Sequence, residues 1–203
     1  MTTSKTNPLA SNGLNNYMQK PILSFCASGS GIGKTTLLTK LIPTLTALGL
    51  RISVIKHAHH SFDIDYPGKD SYRLREAGAV QMLLGSRKRW ALITELSRIA
   101  DRDLEEDISL SELLAQLDQN LIDLILVEGF RHEAIPKIEI YRPSVNQLLL
   151  ADSDATIIAV ASDGETNTDL PVLNLNDPHE IAEFILSWSN FKPLNQSPIK
   201  LKQ

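Results

Sequence analysis

The sequence predicts an α/β fold, a mostly parallel β-sheet flanked by helices. Three observations carry that expectation. Short apolar runs alternate with amphipathic stretches through residues 21–189, the pattern of strands joined by helical crossovers. Some runs are apolar throughout, notably Leu124-Ile125-Leu126-Val127 and Ile157-Ile158-Ala159-Val160, as strands covered on both faces are. Cap and stop residues also fall where the amphipathic stretches begin and end.

In chain order, strands are expected at residues 22–27, 52–56, 79–84, 90–94, 121–127, 138–141 and 156–161. The first helix covers 34–48 and is closed by Gly49, a natural C-terminal stop. Pro43 lies inside it and is expected to kink it or remove a backbone hydrogen bond. A short helix capped by Asp70 or Ser71 ends at Gly78. A third starts at Ser109, with Glu112 completing a capping box. The last opens on Asp177-Pro178 with Glu180 and runs to about Ser189.

The chain has 203 residues, 20 Lys and Arg against 24 Asp and Glu, a net charge of -4 and one cysteine. Its length suits one domain, since domains cluster at roughly 100–200 residues. We expect that domain at 21–189, with flexible tails at 1–20 and 190–203 whose Ser, Thr and Asn content cannot offset the entropy of ordering. Cys26 alone forms no internal disulfide, which fits a reducing compartment. Mild acidity argues against a protein built to coat nucleic acid or anionic membrane. No apolar run reaches the roughly 18 residues of a membrane span, and the first twenty residues hold no apolar signal core. A soluble, cytoplasmic protein is expected, and the acidic run at 101–107 reads as a solvated loop.

The most informative stretch is Ser28-Gly29-Ser30-Gly31-Ile32-Gly33-Lys34-Thr35-Thr36. It follows an apolar strand and opens a helix, the context of a phosphate-binding P-loop. Gly29, Gly31 and Gly33 permit the backbone angles that turn successive N–H groups inward around a phosphate. The helix adds its positive dipole end at the same place. Lys34 can bridge the β and γ phosphates, and Thr35 can set its hydroxyl on Mg²⁺. The strict pattern G-x-x-x-x-G-K-[ST] asks for glycine where Ser28 stands. Residues Gly29, Ser30, Gly31, Ile32, Gly33, Lys34, Thr35 and Thr36 are therefore the expected phosphate site, and the fold is P-loop NTPase-like.

Such a loop needs an acidic residue at a neighbouring strand end to organise Mg²⁺. Glu128, followed by Gly129-Phe130, is the candidate, while Asp123 reads as a charge at the strand's entry. A second constellation, Lys56-His57-Ala58-His59-His60-Ser61-Phe62-Asp63-Ile64-Asp65, follows the second strand, at the edge where open α/β sheets bind ligands. Lys56 and His57 are candidate phosphate contacts, and Asp63 and Asp65 candidate metal contacts. A transition-metal site on the histidines and a merely polar loop are the other readings of this stretch. Lys69 and Arg73 either face an anionic ligand or form salt bridges on a surface helix.

Together and in this order, the P-loop, Lys56-His57-Ala58-His59-His60, Asp63-Ile64-Asp65, Pro67-Gly68-Lys69-Asp70-Ser71, Gly78-Ala79 and the run from Leu124 to Phe130 closely resemble the MobB family of molybdopterin-guanine dinucleotide biosynthesis adaptor proteins. The resemblance covers about residues 22–188. It implies a GTP-binding homodimer, with weak GTPase activity at most, that works beside the molybdenum cofactor guanylyltransferase. It further implies delivery of the finished cofactor, so molybdopterin or molybdopterin guanine dinucleotide as a ligand, and molybdoenzymes or their chaperones as partners. By matching positions, Gly29 to Thr36 hold the GTP phosphates and Mg²⁺, and Glu128 takes the acidic role. Guanine preference comes from the resemblance alone, because no Asn-Lys-x-Asp segment is present. Readings from other classes are a P-loop small-molecule kinase or ATP-dependent ligase, and a metallochaperone GTPase using His57, His59 and His60.

Overall fold

A computed structural model describes residues 20–58, 62–100, 107–145 and 147–191. The proposed tails, apart from Lys20, Asn190 and Phe191, lie outside the described residues, as do His59, His60 and positions 101–106 of the acidic run. The chain falls into two compact units, one made of the segment through His57 with the segment from Leu110, the other of Ala58–Ser109.

The first unit is built on a six-stranded sheet of β1 (Ile22–Cys26), β2 (Ile52–Lys56), β5 (Leu124–Glu128), β6 (Lys137–Tyr141), β7 (Ile157–Ser162) and β8 (Val172–Asn174). Their order across the sheet is β2-β5-β1-β6-β7-β8, and every neighbouring pair is parallel. The fully apolar runs of β5 and β7 are buried on both faces, as their composition requires. The expected strands all form within a few residues of their expected bounds. β8 was not foreseen, because the three residues Val172–Asn174 carry no periodicity to read.

Helices α1 (Lys34–Ala47) and α4 (Pro178–Ser189) cover one face. Leu37, Leu38, Leu41 and Leu45 of α1 and Ile181, Ala182 and Ile185 of α4 bury against Leu23, Phe25, Leu124, Leu126, Ile138 and Ile140. The opposite face carries Ile125 and Val127 under Leu110 and Leu114 of α3 (Leu110–Leu114), with Ile55, Ile122 and Ile135. α3 is a single turn, shorter than its capping signal suggests.

α1 runs through Pro43 as one helix. The proline sits on the exposed face, where its ring and the carbonyl freed by its missing N–H meet solvent instead of core. At the end of α1, Gly49 turns at φ +95°. There Gly49 N donates to Thr46 O at 2.9 Å and Leu50 N to Leu45 O at 3.2 Å, so two terminal carbonyls are satisfied. α4 opens on Asp177, whose carboxylate accepts from His179 N and Glu180 N. It closes the same way on Asn190 at φ +52°, with Phe191 packed back on the core.

The second unit holds α2 (Asp70–Glu76) and an antiparallel hairpin of β3 (Gln81–Gly85) and β4 (Trp90–Thr94). These two strands form a sheet of their own. Arg75 organises the unit: its guanidinium meets Asp63 at 2.5 Å and Glu95 at 2.6 Å and lies 5.1 Å from the Tyr72 ring centroid.

Candidate nucleotide-binding site

In the parallel sheet the carboxyl ends of β2, β5, β1, β6 and β7 lie along one edge, where ligands bind in open α/β folds. The residues reaching that edge are Lys56, Glu128, the loop 27–33, Arg142 and Asp163.

The loop between β1 and α1 is shaped by two glycines: Gly31 takes φ +75° and Gly33 φ +113°. Gly29 does not enter the left-handed region, which corrects the expectation that all three glycines are needed for their backbone angles. Its carbonyl accepts a 2.8 Å hydrogen bond from Lys34 Nζ, which folds the lysine back over the loop. Ser28 also lies outside the left-handed region, so a Cβ is accommodated where the strict pattern has glycine. Its hydroxyl donates to Gln147 Oε1. Ile32 is buried and anchors the loop's crest in the core, whereas Ser30, Thr35 and Thr36 are exposed.

Thr35 Oγ1 donates to Glu128 Oε1 at 2.7 Å. The same carboxylate oxygen accepts from Lys56 Nζ at 2.7 Å, and Lys56 Nζ lies 3.4 Å from Thr35 Oγ1. Glu128 itself is 9% exposed. A hydroxyl and a carboxylate converging at a helix N-terminus are hard oxygen donors of the kind Mg²⁺ takes, so the residues present fit that ion. Among the described residues no group of three or more His, Cys, Asp or Glu is placed to hold a metal. A divalent ion here would rest on Thr35, Glu128 and the phosphates of a bound nucleotide.

Gly129 follows at φ +103°, and a Cβ on it would fall 2.6 Å from the Cβ of His57. The glycine is what lets the ends of β2 and β5 close together, with His57 N donating to Glu128 O at 2.9 Å. His57 then stacks against Phe130 at 4.7 Å between ring centroids.

Sequence reasoning missed Arg142 and Gln147. Arg142 Nε donates to Ile32 O at 2.8 Å, its Nη1 pairs with Asp163, and its Nη2 lies 3.3 Å from where a Gly33 Cβ would stand. Arg142 follows an expected strand directly, so its place at the sheet edge was readable. Its reach to the phosphate loop depends on β6 lying beside β1, which periodicity does not give.

The remaining expected site residues belong to the second unit and have partners there. Asp63 accepts from Asp65 N at 2.9 Å and pairs with Arg75, and these two contacts hold its carboxyl below the usual carboxylate range. Asp65 Oδ1 accepts from Tyr66 N and from Ser71 Oγ. Lys69 precedes the first turn of α2, and the exposed Arg73 sits 3.9 Å from Asp70.

On the α3 side of β1 lies a polar interior. Glu139, fully buried, accepts the N–H groups of Leu150 and Ala151 at 2.8 Å each, and burial pushes its carboxyl up. Lys137, 2% exposed, pairs with Asp154 at 3.0 Å and hydrogen-bonds Thr156. Burial, with Glu139 adding to it, pushes the Cys26 thiol up to about 12.

Among the described residues no helix is long and apolar enough to cross a membrane. Residues 22–163 match the family model described as MobB, molybdopterin guanine dinucleotide synthesis protein B. The chain is 47% identical over 172 residues to the molybdopterin-guanine dinucleotide biosynthesis adapter protein of Escherichia coli K12, covering 83% of this chain and 93% of that one. It is 44% identical over 159 residues to the adapter protein of the same name from Haemophilus influenzae, covering 78% and 84%. A crystal structure of molybdopterin-guanine biosynthesis protein B superposes with a TM-score of 0.61 at 26% identity, over 82% of this chain and 99% of that one. The Bacillus subtilis MobB structure gives 0.61 at 22% identity, over 82% and 96%, a likeness of fold. With a phosphate loop, an acidic strand end and a parallel sheet of matching architecture, the chain belongs to the MobB family.

Proposed function

We propose that the protein is a GTP-binding adaptor of molybdopterin guanine dinucleotide biosynthesis. Gly29 to Thr36 hold the phosphates, and Thr35 and Glu128 hold Mg²⁺. The observation that carries this reading is the convergence of Lys34, Thr35 and Glu128 at the mouth of the β1–α1 loop, in a chain of this family. Lys34 supplies the charge that a desolvated phosphate needs, and the loop N–H groups and the α1 dipole supply the rest.

The adaptor works in the cytoplasm beside the molybdenum cofactor guanylyltransferase and takes molybdopterin or its guanine dinucleotide as a second ligand. It passes the product toward molybdoenzymes or their chaperones. GTP hydrolysis is expected to be slow, and the active form is a homodimer. The β3–β4 hairpin, which leaves Leu83, Trp90 and Leu92 exposed, offers apolar surface of the kind self-association covers.

Calorimetry of GTP and ATP against the purified protein, with guanylyltransferase then added, tests the proposal. GTP is expected to bind more tightly than ATP, and Lys34→Ala is expected to lose about a hundredfold in affinity. Unchanged GTP affinity in that variant would sink the phosphate-loop reading.

A further inference from the structure

Lys56 and Glu128 are register partners on adjacent parallel strands, β2 and β5. Their side chains therefore leave the sheet on the same face. They meet at 2.7 Å, and Lys56 Nζ also stands 3.4 Å from Thr35 Oγ1. The Thr35 hydroxyl has turned its proton toward Glu128 Oε1, 2.7 Å away. Its oxygen lone pairs are thus left for a cation, and the ammonium is on that side. Lys56 occupies, in charge and position, the place that a divalent ion on these two oxygens would take. Mg²⁺ sits about 2.1 Å from its oxygen ligands and keeps several waters. It would therefore compete with the ammonium for the lone pairs of Glu128 Oε1 and Thr35 Oγ1.

Resting on the nucleotide-site reading above, we propose that Lys56 is a built-in cation at the metal end of the site. It contends with the divalent ion for Glu128 and Thr35, and metal entry moves its ammonium onto the nucleotide's phosphate oxygens. The asymmetry of the pair suits this exchange. Glu128 is fixed by burial, with its side chain 11% exposed, whereas the Lys56 side chain is 56% exposed and free to swing on its four-carbon stem. A lysine pinned by burial on both sides would block the ion; one with more than half its side chain exposed yields to it. Before exchange Lys56 keeps Glu128 neutralised, so the phosphates need not approach an uncompensated carboxylate. After exchange it supplies a further positive charge beside them. Nucleotide binding should therefore persist without Mg²⁺ but respond to it shallowly.

The test measures GTP affinity by calorimetry across a Mg²⁺ series, from chelator to millimolar ion, for the wild type, Lys56→Gln, Lys56→Arg and Lys34→Ala. In chelator, Lys56→Gln is expected to bind GTP about tenfold more weakly than the wild type. It is also expected to reach half-response at several-fold lower Mg²⁺, because the competing cation is gone. Lys56→Arg keeps the charge and should retain binding in chelator. A Lys56→Gln curve displaced by the same factor at every Mg²⁺ concentration would overturn the proposal and reduce Lys56 to a plain phosphate contact. Superposable curves would overturn it too. Unweakened GTP binding by Lys34→Ala would instead refute the underlying site, so the two failures are told apart. Lys56 is exposed, and circular dichroism of the folded variant excludes a trivial loss of structure.

Discussion

Arg142 at the end of β6 is ion-paired with Asp163 at the end of β7 while its Nε holds the carbonyl of Ile32 in the phosphate loop. One guanidinium thus ties the ends of β6 and β7 to the crest of the β1–α1 loop. Asp163→Asn is expected to cost about 1 kcal/mol of global stability. It should weaken GTP binding several-fold through a looser loop. Hydrogen exchange checks the route: the amides of residues 32–34 should exchange faster in the variant, while those of β5 should not.

Gly129 should tolerate no side chain. An added Cβ would combine φ +103° with a 2.6 Å approach to His57, so Gly129→Ala should destabilise by about 3 kcal/mol in urea unfolding. Gly31→Ala is the matched control. At φ +75° nothing lies within 4 Å of its Cβ, and strain alone should cost about 1 kcal/mol.

The Lys137–Asp154 pair should respond asymmetrically. Asp154→Ala strands a lysine only 2% exposed and should cost about 3–5 kcal/mol. Lys137→Met leaves a carboxylate that still accepts from Thr156 N and should cost less. The sign of the pH dependence follows from the same pair. Burial pushes the Asp154 carboxyl up, but Thr156 and Lys137 outweigh it and leave the group below its usual range. Its stabilising contribution is therefore present above the ordinary carboxylate range and lost as pH falls through the folded-state value. Chemical denaturation at stepped pH should show a shallower acid loss in Asp154→Asn than in the wild type.

Cys26 should be inert in the folded protein. With its thiol at about 12, almost no thiolate exists at pH 8, and the side chain is buried. Ellman's reagent should label it only after denaturation; rapid labelling of the native protein would contradict its burial.

How much of this was legible in the sequence depends on what each residue answers to. The runs Leu124–Val127 and Ile157–Val160 announced buried parallel strands because burial on both faces leaves its mark in composition alone. The glycine-rich loop and Glu128 could be singled out because each sits at a strand end marked by its own local residues, although their meeting depends on β5 lying beside β1. Arg142 and Gln147 were not, since their reach to the loop depends on strand order, which no local pattern encodes. Asp63 is a different case: an acidic residue in a polar loop reads as a candidate metal contact, and its partner Arg75, twelve positions on, carries no local signal of the pairing. Pro43 shows how placement overrides propensity, because a helix-breaking residue is harmless on a face with nothing to pack against.

Across the strand ends, the charges run Lys56, Glu128, Lys34, Arg142 and Asp163. Lys56 cancels Glu128, and Arg142 cancels Asp163. Seen from a distance, these five ends present a single positive charge and the dipole of α1, on a molecule of net charge -4. Such an edge exerts little long-range pull on a polyanion. Nucleotide capture should therefore proceed at an unsteered rate that changes little with ionic strength, and the charges act only after the phosphates have touched the loop.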